Sequence, residues 1–510
     1  MKNFGISLLT ALFIFTSCEK DTLDSNDNQE IELNEVNEDA ATFKEIGSIT
    51  IGGEAAAEIS AYDEKTKKLF TVNNSGVNQI DVVDLTDPTN PKKLTAISLS
   101  TYNGASNSVA TYDGKLAVAL ESTIDRQGNG KVVVFNTADN SVIKEIVVGA
   151  LPDMVTFSPD GKFIMSANEG EPNADYTVDP DGSISIIDVM NGYTATTMNF
   201  ASFESQLASL RTKGFRISKT AKSFAADIEP EYITISADSK TAWVSLQENN
   251  GVAKVDLTSK TITAIFGLGY KDFNSTANGI DISDKDGSIV FNPWKVKGMY
   301  MPDAIASYAV NGTPYFITAN EGDAREYGSY ADVKRLAKMT FDPTVFPDAA
   351  TFKADEKMGR LNLISTEGDT DGDGDLDELI SFGARSFTIW NGNTGSLVFD
   401  SKNDLDKRSN DLGTYDDGRS DDKGSEPESV VVAKMGDKNI LFVGLERTDT
   451  VVVYDITNPA APVYLQSIKT GDAPEGLLFI PASKSPTKRS LLVVSSEGDG
   501  VVKIFQPNLK

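Results

Sequence analysis

Residues 152–169 read PDMVTFSPDGKFIMSANE, and altered copies of this stretch recur along the chain. Each copy opens with Pro and an acidic residue, continues as a short apolar strand, and ends in Glu after a second apolar strand. The other clear copies are 230–248, 302–321, 427–446 and 474–497. Two degenerate copies precede them, SNSVATYDGKLAVALE ending at Glu121 and EAAAEISAYDEKTKKLFTVNN ending at Asn74. The chain therefore carries seven related units.

A further strand or hairpin follows each unit, for example GSISIIDV at 182–189. Period-2 alternation, β-branched residues and intervening turn residues indicate four short antiparallel strands per unit. Repeated four-stranded units predict an all-β fold, a seven-bladed β-propeller with helical and acidic loop insertions on one face. Six or eight blades stay open as alternatives because the first copies are degenerate. The segment FKEIGSITIG at 43–52 is expected to complete the last blade and close the ring.

The repeat also predicts a cluster of acids, which we call the crown. The first two strands of a unit are antiparallel, so the start of one and the end of the other lie on one face, near the central channel. The crown carboxylates are Asp153, Glu169, Glu231, Glu248, Asp303, Glu321, Glu428, Glu446, Glu475 and Glu497. Such acids either bind cations or accept backbone N–H bonds at tight turns. Both interpretations stay open from the residues alone.

Long insertions are expected on the same face. They comprise residues 170–182, 200–229, 322–382 and 401–426. Helical spacing predicts short helices at 203–210 and 330–339. Long loops on one face of a rigid scaffold are where function usually resides.

One insertion contains EGDTDGDGDLDE at 367–378, in which Asp recurs at every second position. Its acids are Asp369, Asp371, Asp373, Asp375 and Asp377. Alternating oxygen ligands with intervening glycines predict a Ca²⁺ loop, and Mg²⁺ fits less well because it keeps its waters. The first seven positions fit an EF-hand-like loop, whereas its twelfth position is Ile380. A solvated acidic turn is the alternative. Asp175, Asp179 and Asp181 are weaker ligand candidates, and 414–428 is expected to be a solvated loop.

The amino-acid composition limits the catalytic and binding groups that the chain can use. The 510 residues include 47 Lys+Arg and 75 Asp+Glu, a formal net charge of −28, which excludes electrostatic binding to nucleic acid. Histidine is absent, so imidazole bases and His-bearing zinc sites are excluded. Cys18 is the only cysteine, so no intrachain disulfide forms. The groups that remain available for catalysis or binding are carboxylates, hydroxyls, Lys, Arg and hard cations.

The amino terminus resembles a bacterial lipoprotein signal. Residues 1–17 combine a basic residue, an apolar run and small residues before Cys18, the expected lipidation site. An ordinary secretory signal is the alternative. Residues 18–42 are expected to form a disordered acidic tether, and 43–510 the propeller. The predicted location is the bacterial outer membrane or cell surface, extracytoplasmic, with a lipid anchor as the sole membrane contact.

Several long blocks resemble the choice-of-anchor I domain family. They are residues 151–189, MPDAIASY with ITANEGDAREY, GDTDGDGDLDELISFGARSFTIW, and GSEPESVVV with LFVGLER. The resemblance covers roughly residues 43–507 and implies an extracellular propeller attached by varied anchors. Family members often carry an alkaline-phosphatase label, and an echinoderm branch is linked to calcium mineral.

Three functions follow as hypotheses. The first is a non-enzymatic Ca²⁺-binding surface module that recognises an unidentified ligand through the crown face. The second is a Ca²⁺-dependent phosphohydrolase, with Arg325 as candidate phosphate contact or as structural counterion to Glu321. The third is a structural surface-layer protein. Candidate basic partners of the crown are Arg325, Arg385, Arg447 and Lys254.

Overall fold

The computed structural model describes Met1, residues 37–218 and residues 222–510. The predicted signal peptide after Met1, the lipidation residue Cys18 and the tether as far as residue 36 lie outside the described residues. No helix among the described residues is long and apolar enough to cross a membrane.

The first half of the described chain forms strand β1 and four sheets. Strand β1 spans Glu38–Thr50. Blade one contains β2 (Ser60–Asp63), β3 (Lys68–Asn73), β4 (Gln79–Asp84), β5 (Lys92–Lys93) and β6 (Ile97–Ser98). Blade two contains β7 (Gly104–Tyr112), β8 (Lys115–Ser122), β9 (Asn129–Asn136) and β10 (Val142–Ala150). Blade three contains β11 (Pro152–Phe157), β12 (Phe163–Asn168), β13 (Ser183–Asp188) and β14 (Thr194–Asn199). After α1 (Leu207–Arg211), blade four contains β15 (Pro230–Ile235), β16 (Thr241–Leu246), β17 (Gly251–Asp256) and β18 (Thr261–Gly267).

The second half forms three more sheets of this kind and a large insertion. Strands β19 (Tyr270–Asp272) and β20 (Lys297–Met299) come first. Blade five contains β21 (Ile305–Val310), β22 (Thr313–Asn320), β28 (Ser386–Asn391) and β29 (Leu397–Asp400). Between β22 and β28 lies an insertion with β23 (Glu326–Tyr327), β24 (Tyr330–Ala331), β25 (Val333–Arg335), α2 (Ala349–Phe352), β26 (Asn362–Ile364) and β27 (Ile380–Ser381). After α3 (Asp404–Leu412), blade six contains β30 (Pro427–Met435), β31 (Lys438–Leu445), β32 (Thr450–Asp455) and β33 (Val463–Lys469). Blade seven contains β34 (Pro474–Ile480), β35 (Leu491–Ser496), β36 (Val501–Leu509) and β1.

The sheets are arranged in a closed ring. The innermost strands contact one another in the order β2, β7, β11, β15, β21, β30, β34 and again β2. Strand β1 pairs antiparallel with β36, so the two ends of the described chain share one sheet. The all-β propeller is thus confirmed, and its ring is closed by the amino-terminal segment, as the sequence predicts.

Apolar clusters between neighbouring blades explain the long hydrophobic runs of the middle strands. One cluster joins Ile184 of blade three to Val244 of blade four, and six comparable clusters join the other neighbouring pairs. Middle strands such as β12 and β28 are almost wholly buried because both sheet faces are covered. The outermost strand β14 is largely exposed.

An insertion with its own core stands beside blade five. Strands β19, β20 and β27 form one small sheet, and an apolar cluster brings together Phe273, Leu336, Leu361 and Leu376. The sequence reasoning missed the contribution of residues 268–304 to this insertion.

The helix expected at 330–339 is wrong. Residues 333–335 form β25, which pairs with β26, and only Leu336–Lys338 form a 3₁₀ turn. Pairing with a distant strand outweighs local helical spacing. At 203–210 the helical expectation holds, as a 3₁₀ segment followed by α1.

Residues 38–42, expected from the sequence to belong to the tether, lie in strand β1. Glu38 accepts a hydrogen bond from the Arg489 guanidinium at 2.7 Å and another from the Ser490 backbone N–H at 3.0 Å. Ala40 and Phe43 are buried in the core between blades six and seven. These contacts order residues that composition alone marks as solvated.

Phe43→Ala tests the ring closure. Phe43 is 2% exposed and packs edge-on against Phe442 with ring centroids 5.1 Å apart. We expect the substitution to lower the free energy of unfolding by about 3–4 kcal/mol in urea denaturation. The neighbouring exposed Lys44→Ala is the control and should change it by less than about 0.5 kcal/mol. Equal effects from both would contradict docking of β1 on blade seven.

Candidate functional site

Strand register brings the crown acids to one end of the ring. Pro152 of β11 pairs with Asn168 of β12, so the residue after each of them, Asp153 and Glu169, lies at the same end of the blade. The same pairing recurs for Pro230 with Leu246, Pro427 with Leu445 and Pro474 with Ser496.

A cavity of about 250 Å³ lies in the channel at this end, and we call it the channel mouth. Its polar lining comprises Glu58, Asn107, Ser108, Asp153, Asp303, Glu428, Ser429 and Glu475. The sequence reasoning missed Glu58, although it stands at the acidic position of the degenerate first copy. In the second copy, Asn107 takes that position and carries no charge.

Burial and mutual repulsion raise the pKa of several of these acids. Burial, then repulsion from Glu171 and Glu121, raises the pKa of Asp153 to about 7. Burial, then Glu497, raises the pKa of Glu58 to about 7. Burial first, and then repulsion from neighbouring carboxylates, raises the pKa of Asp303 and of Glu428 well above the ordinary value. The raised pKa values favour the protonated form of these two acids near neutral pH.

Between blades five and six, basic side chains neutralise the acids. Oxygens of Glu321, Glu426 and Glu446 lie within 4.8 Å of one another. The Lys423 ammonium forms a short ion pair with Glu321 and lies 3.3 Å from Glu426. Arg419 Nε donates to Glu426 at 2.8 Å, and Arg447 Nη1 lies 3.0 Å from Glu446.

The sequence-based choice of basic partners is thus only partly right. Arg447 contacts the crown, whereas Arg385 donates to backbone carbonyls of Asp281, Ser420 and Asp422. Lys254 contacts Asn393 on an exposed surface. The reasoning missed Lys423 because its acidic neighbours suggested a solvated loop at 414–428. In fact Asp421, within that loop, is 2% exposed and paired with Arg335 and Arg360.

Between blades three and four, the part of the chain that the structure describes places no ion-paired basic side chain in the corresponding acidic group. Oxygens of Glu169, Glu231 and Glu248 lie within 4.8 Å of one another. Burial first, and then repulsion from neighbouring carboxylates, raises the pKa of all three well above the ordinary value.

Arg325 is not open to a phosphate group. Its side chain is 1% exposed, and its guanidinium donates to Asp227 Oδ1 at 2.9 Å, to the Asp227 carbonyl at 2.7 Å and to Glu229 Oε2 at 3.2 Å. These contacts support a role as structural counterion and count against the candidate role as phosphate contact, which stays a prediction. Its direct carboxylate partners are Asp227 and Glu229, while Glu321 is held by Lys423 and by Gln247.

The Asp loop at 369–377 is exposed and folds on its own backbone. Asp369 accepts hydrogen bonds from Gly372 N–H at 2.7 Å and Gly374 N–H at 3.2 Å. Gly372 and Gly374 have φ of 84° and 100°, a conformation that glycine adopts without strain. Leu376 is buried in the insertion core, which fixes the end of the loop.

Carboxylate oxygens of the loop converge in two groups that share Asp377. One group is Asp369, Asp371 and Asp377, and the other is Asp342, Asp375 and Asp377, each within 4.8 Å. Asp342 was missed because it lies outside the motif. An isolated parallel bridge between Phe341 and Leu376 brings it to the loop. Asp373 belongs to neither group, and its carboxylate accepts from Asp375 N–H.

The weaker candidates Asp175, Asp179 and Asp181 do not converge. Asp175 accepts from Thr177, Asp179 from the Lys222 backbone N–H, and Asp181 from Asn199.

Comparison with known proteins identifies one matching family, one curated relative and several solved structures of low sequence identity. A family model described as the choice-of-anchor I domain matches residues 58–459. Gigasin-3a of Magallana gigas is 31% identical over 185 residues, a match covering 30% of this chain and 65% of that protein. Hydrazine synthase of Kuenenia stuttgartiensis is 14% identical with a TM-score of 0.47, covering 90% of this chain and 97% of that one. The WD40 domain of Toxoplasma gondii coronin is 9% identical with a TM-score of 0.49, covering 94% and 89%.

The channel mouth predicts pH-dependent stability in the absence of divalent cations. Burial, then the bond to Glu497 and repulsion from Glu497, Glu58 and Glu446, raises the pKa of Glu475 from 4.5 to about 10. The folded state thus holds this proton more tightly than the unfolded chain, so the stabilisation is full below pH 4.5 and is lost as the pH rises toward 10.

We therefore expect the free energy of unfolding, measured in chelator, to fall between pH 5 and pH 9. Glu475→Gln keeps a neutral side chain of similar shape and should reduce that fall by about 1 kcal/mol or more. The exposed Glu356→Gln is the control and should leave the pH dependence unchanged. Identical pH dependence in wild type and Glu475→Gln would contradict the assignment.

Proposed function

The chain belongs to the choice-of-anchor I domain family, and on that premise we propose that this surface-associated propeller is a Ca²⁺-binding module that recognises an extracellular ligand through its acidic, loop-rich face. Lipidation of Cys18, which the amino-terminal sequence pattern supports, would attach it to a bacterial membrane. The proposal assigns no catalytic step to the chain.

The convergence of Asp342 with the Asp loop carries the proposal. Five carboxylates from two segments form two groups within 4.8 Å that share Asp377. Asp375 Oδ1 is buried without a hydrogen-bond partner in the described part of the chain. Asp342 supplies an acidic ligand from another segment, where an EF-hand-like loop would carry Glu at its twelfth position. Ca²⁺ accepts six to eight oxygens in flexible geometry, which such a loop can offer together with water.

The burial and ion pairing of Arg325 count against the hydrolase hypothesis. Arg325 is enclosed by Asp227 and Glu229, and phosphate binding would have to rely on bound cations alone. Hydrolysis is therefore retained only as an outcome of the test.

Calorimetric titration of the chelator-treated protein with Ca²⁺ tests the module. Asp377→Asn alters both groups, and we expect it to weaken Ca²⁺ binding at the loop by roughly tenfold or more, about 1.4 kcal/mol. Asp373→Asn, in the same loop but outside both groups, is the matched control and should weaken binding less. Asp139→Asn, at the exposed hairpin between β9 and β10 on the opposite face, should have no effect.

Two results would contradict the proposal. Equal Ca²⁺ affinity in wild type and Asp377→Asn would exclude the loop as the site. Ca²⁺-dependent turnover of a phosphomonoester or a phosphodiester would replace the binding module with a hydrolase.

A further inference from the structure

Two groups of acids lie at similar places in the repeat. Glu321 and Glu446 follow β22 and β31, and Glu426 precedes β30. Glu169 and Glu248 follow β12 and β16 in blades three and four, and Glu231 is the second residue of β15. Each group gathers three carboxylates from neighbouring blades within 4.8 Å of one another.

Between blades five and six, the chain itself supplies a cation. Lys423 is 9% exposed, and its ammonium lies against Glu321 and 3.3 Å from Glu426. A buried ammonium in contact with two carboxylates offsets charges that would otherwise be costly to remove from water.

Between blades three and four, no basic side chain of the described residues forms an ion pair with Glu169, Glu231 or Glu248, and the Arg325 guanidinium attracts Glu248 only from a greater distance. Glu231 and Glu248 are 8% and 5% exposed, and the Oε2 atom of each is buried without a hydrogen-bond partner there. The nearby guanidinium of Arg325 donates to Asp227 and Glu229. That of Arg126 pairs with Glu121 and Glu171.

We propose that Glu169, Glu231 and Glu248 form a Ca²⁺ site in the crown between blades three and four, separate from the Asp loop, in which the ion neutralises the carboxylates as the Lys423 ammonium does between blades five and six. Three carboxylate oxygens within 4.8 Å of one another can surround one ion with oxygen distances of about 2.3–2.6 Å. The ligands are all hard oxygens, which favours Ca²⁺ over metals that prefer nitrogen or sulfur. Up to six carboxylate oxygens can contribute, whereas Mg²⁺ prefers fewer protein ligands and more water.

The bound ion would join two neighbouring blades. Glu169 belongs to blade three, and Glu231 and Glu248 belong to blade four, so one ion bridges the interface between them. Its expected effect is therefore Ca²⁺-dependent stabilisation of the ring. This holds whether or not the Asp loop binds Ca²⁺.

Equilibrium dialysis with radiolabelled Ca²⁺ tests the site in the Asp377→Asn protein, in which the loop is weakened. We expect one bound Ca²⁺ per chain to remain and to be lost in the Asp377→Asn, Glu231→Gln, Glu248→Gln protein. Glu475→Gln, a crown substitution outside the group, should keep the ion. Absence of the residual ion, or its survival after both Gln substitutions, would overturn the proposal. Equal affinity for Mg²⁺ would contradict the Ca²⁺ assignment.

Thermal unfolding provides a second readout that does not depend on counting ions. Gln substitution removes buried charge, so the triple variant should fold in chelator but lose the rise in Tm that Ca²⁺ produces in its Asp377→Asn parent. Lys423→Met removes the built-in cation, and in the same parent it should increase the Ca²⁺-induced rise in Tm. An unchanged rise in both variants would contradict the correspondence between the two groups.

Discussion

Carboxylates that crowd one end of a closed ring must be neutralised for the folded ring to be stable. Six of the seven repeats place an acid at or near the start of the inner strand, and the ring directs most of these acids to one cavity. An ionised carboxylate removed from water costs several kcal/mol unless it is paired. Protonation of crown acids whose pKa is raised, such as Asp303 and Glu475, offsets part of this cost. Lys423 offsets another part, and the proposed Ca²⁺ offsets the part left between blades three and four.

The apolar architecture explains why the acids cannot simply move apart. Clusters between neighbouring blades fix the middle strands on both faces, and β1 closes the last sheet. The acids are attached to the ends of these fixed strands, so their separation follows from the blade geometry. The Asp loop is different, because it extends from an insertion core and is exposed. Its carboxylates accept hydrogen bonds from backbone N–H groups of the loop itself.

The sequence predicts what depends on local pattern. Strand alternation and the Pro-acid to Glu spacing predict the blades, the closing role of the amino-terminal strand and the common face of the crown. Such local patterns do not predict contacts between residues that are far apart in the sequence. Lys423 stands among acids and looks solvated, Asp342 lies outside the Asp motif, and Arg325 is paired with residues nearly a hundred positions away. The spacing at 330–339 suits a helix, but pairing with β26 makes part of it a strand.

Neutralisation of the crown by a bound cation is tested most directly by a crystal structure grown with Ca²⁺, with anomalous difference density recorded at long wavelength. The account predicts a peak among Glu169, Glu231 and Glu248, bridging blades three and four, and a second at the Asp loop. No peak among these three residues, with the Glu231 and Glu248 carboxyl groups hydrogen-bonded to each other through a proton, would contradict it.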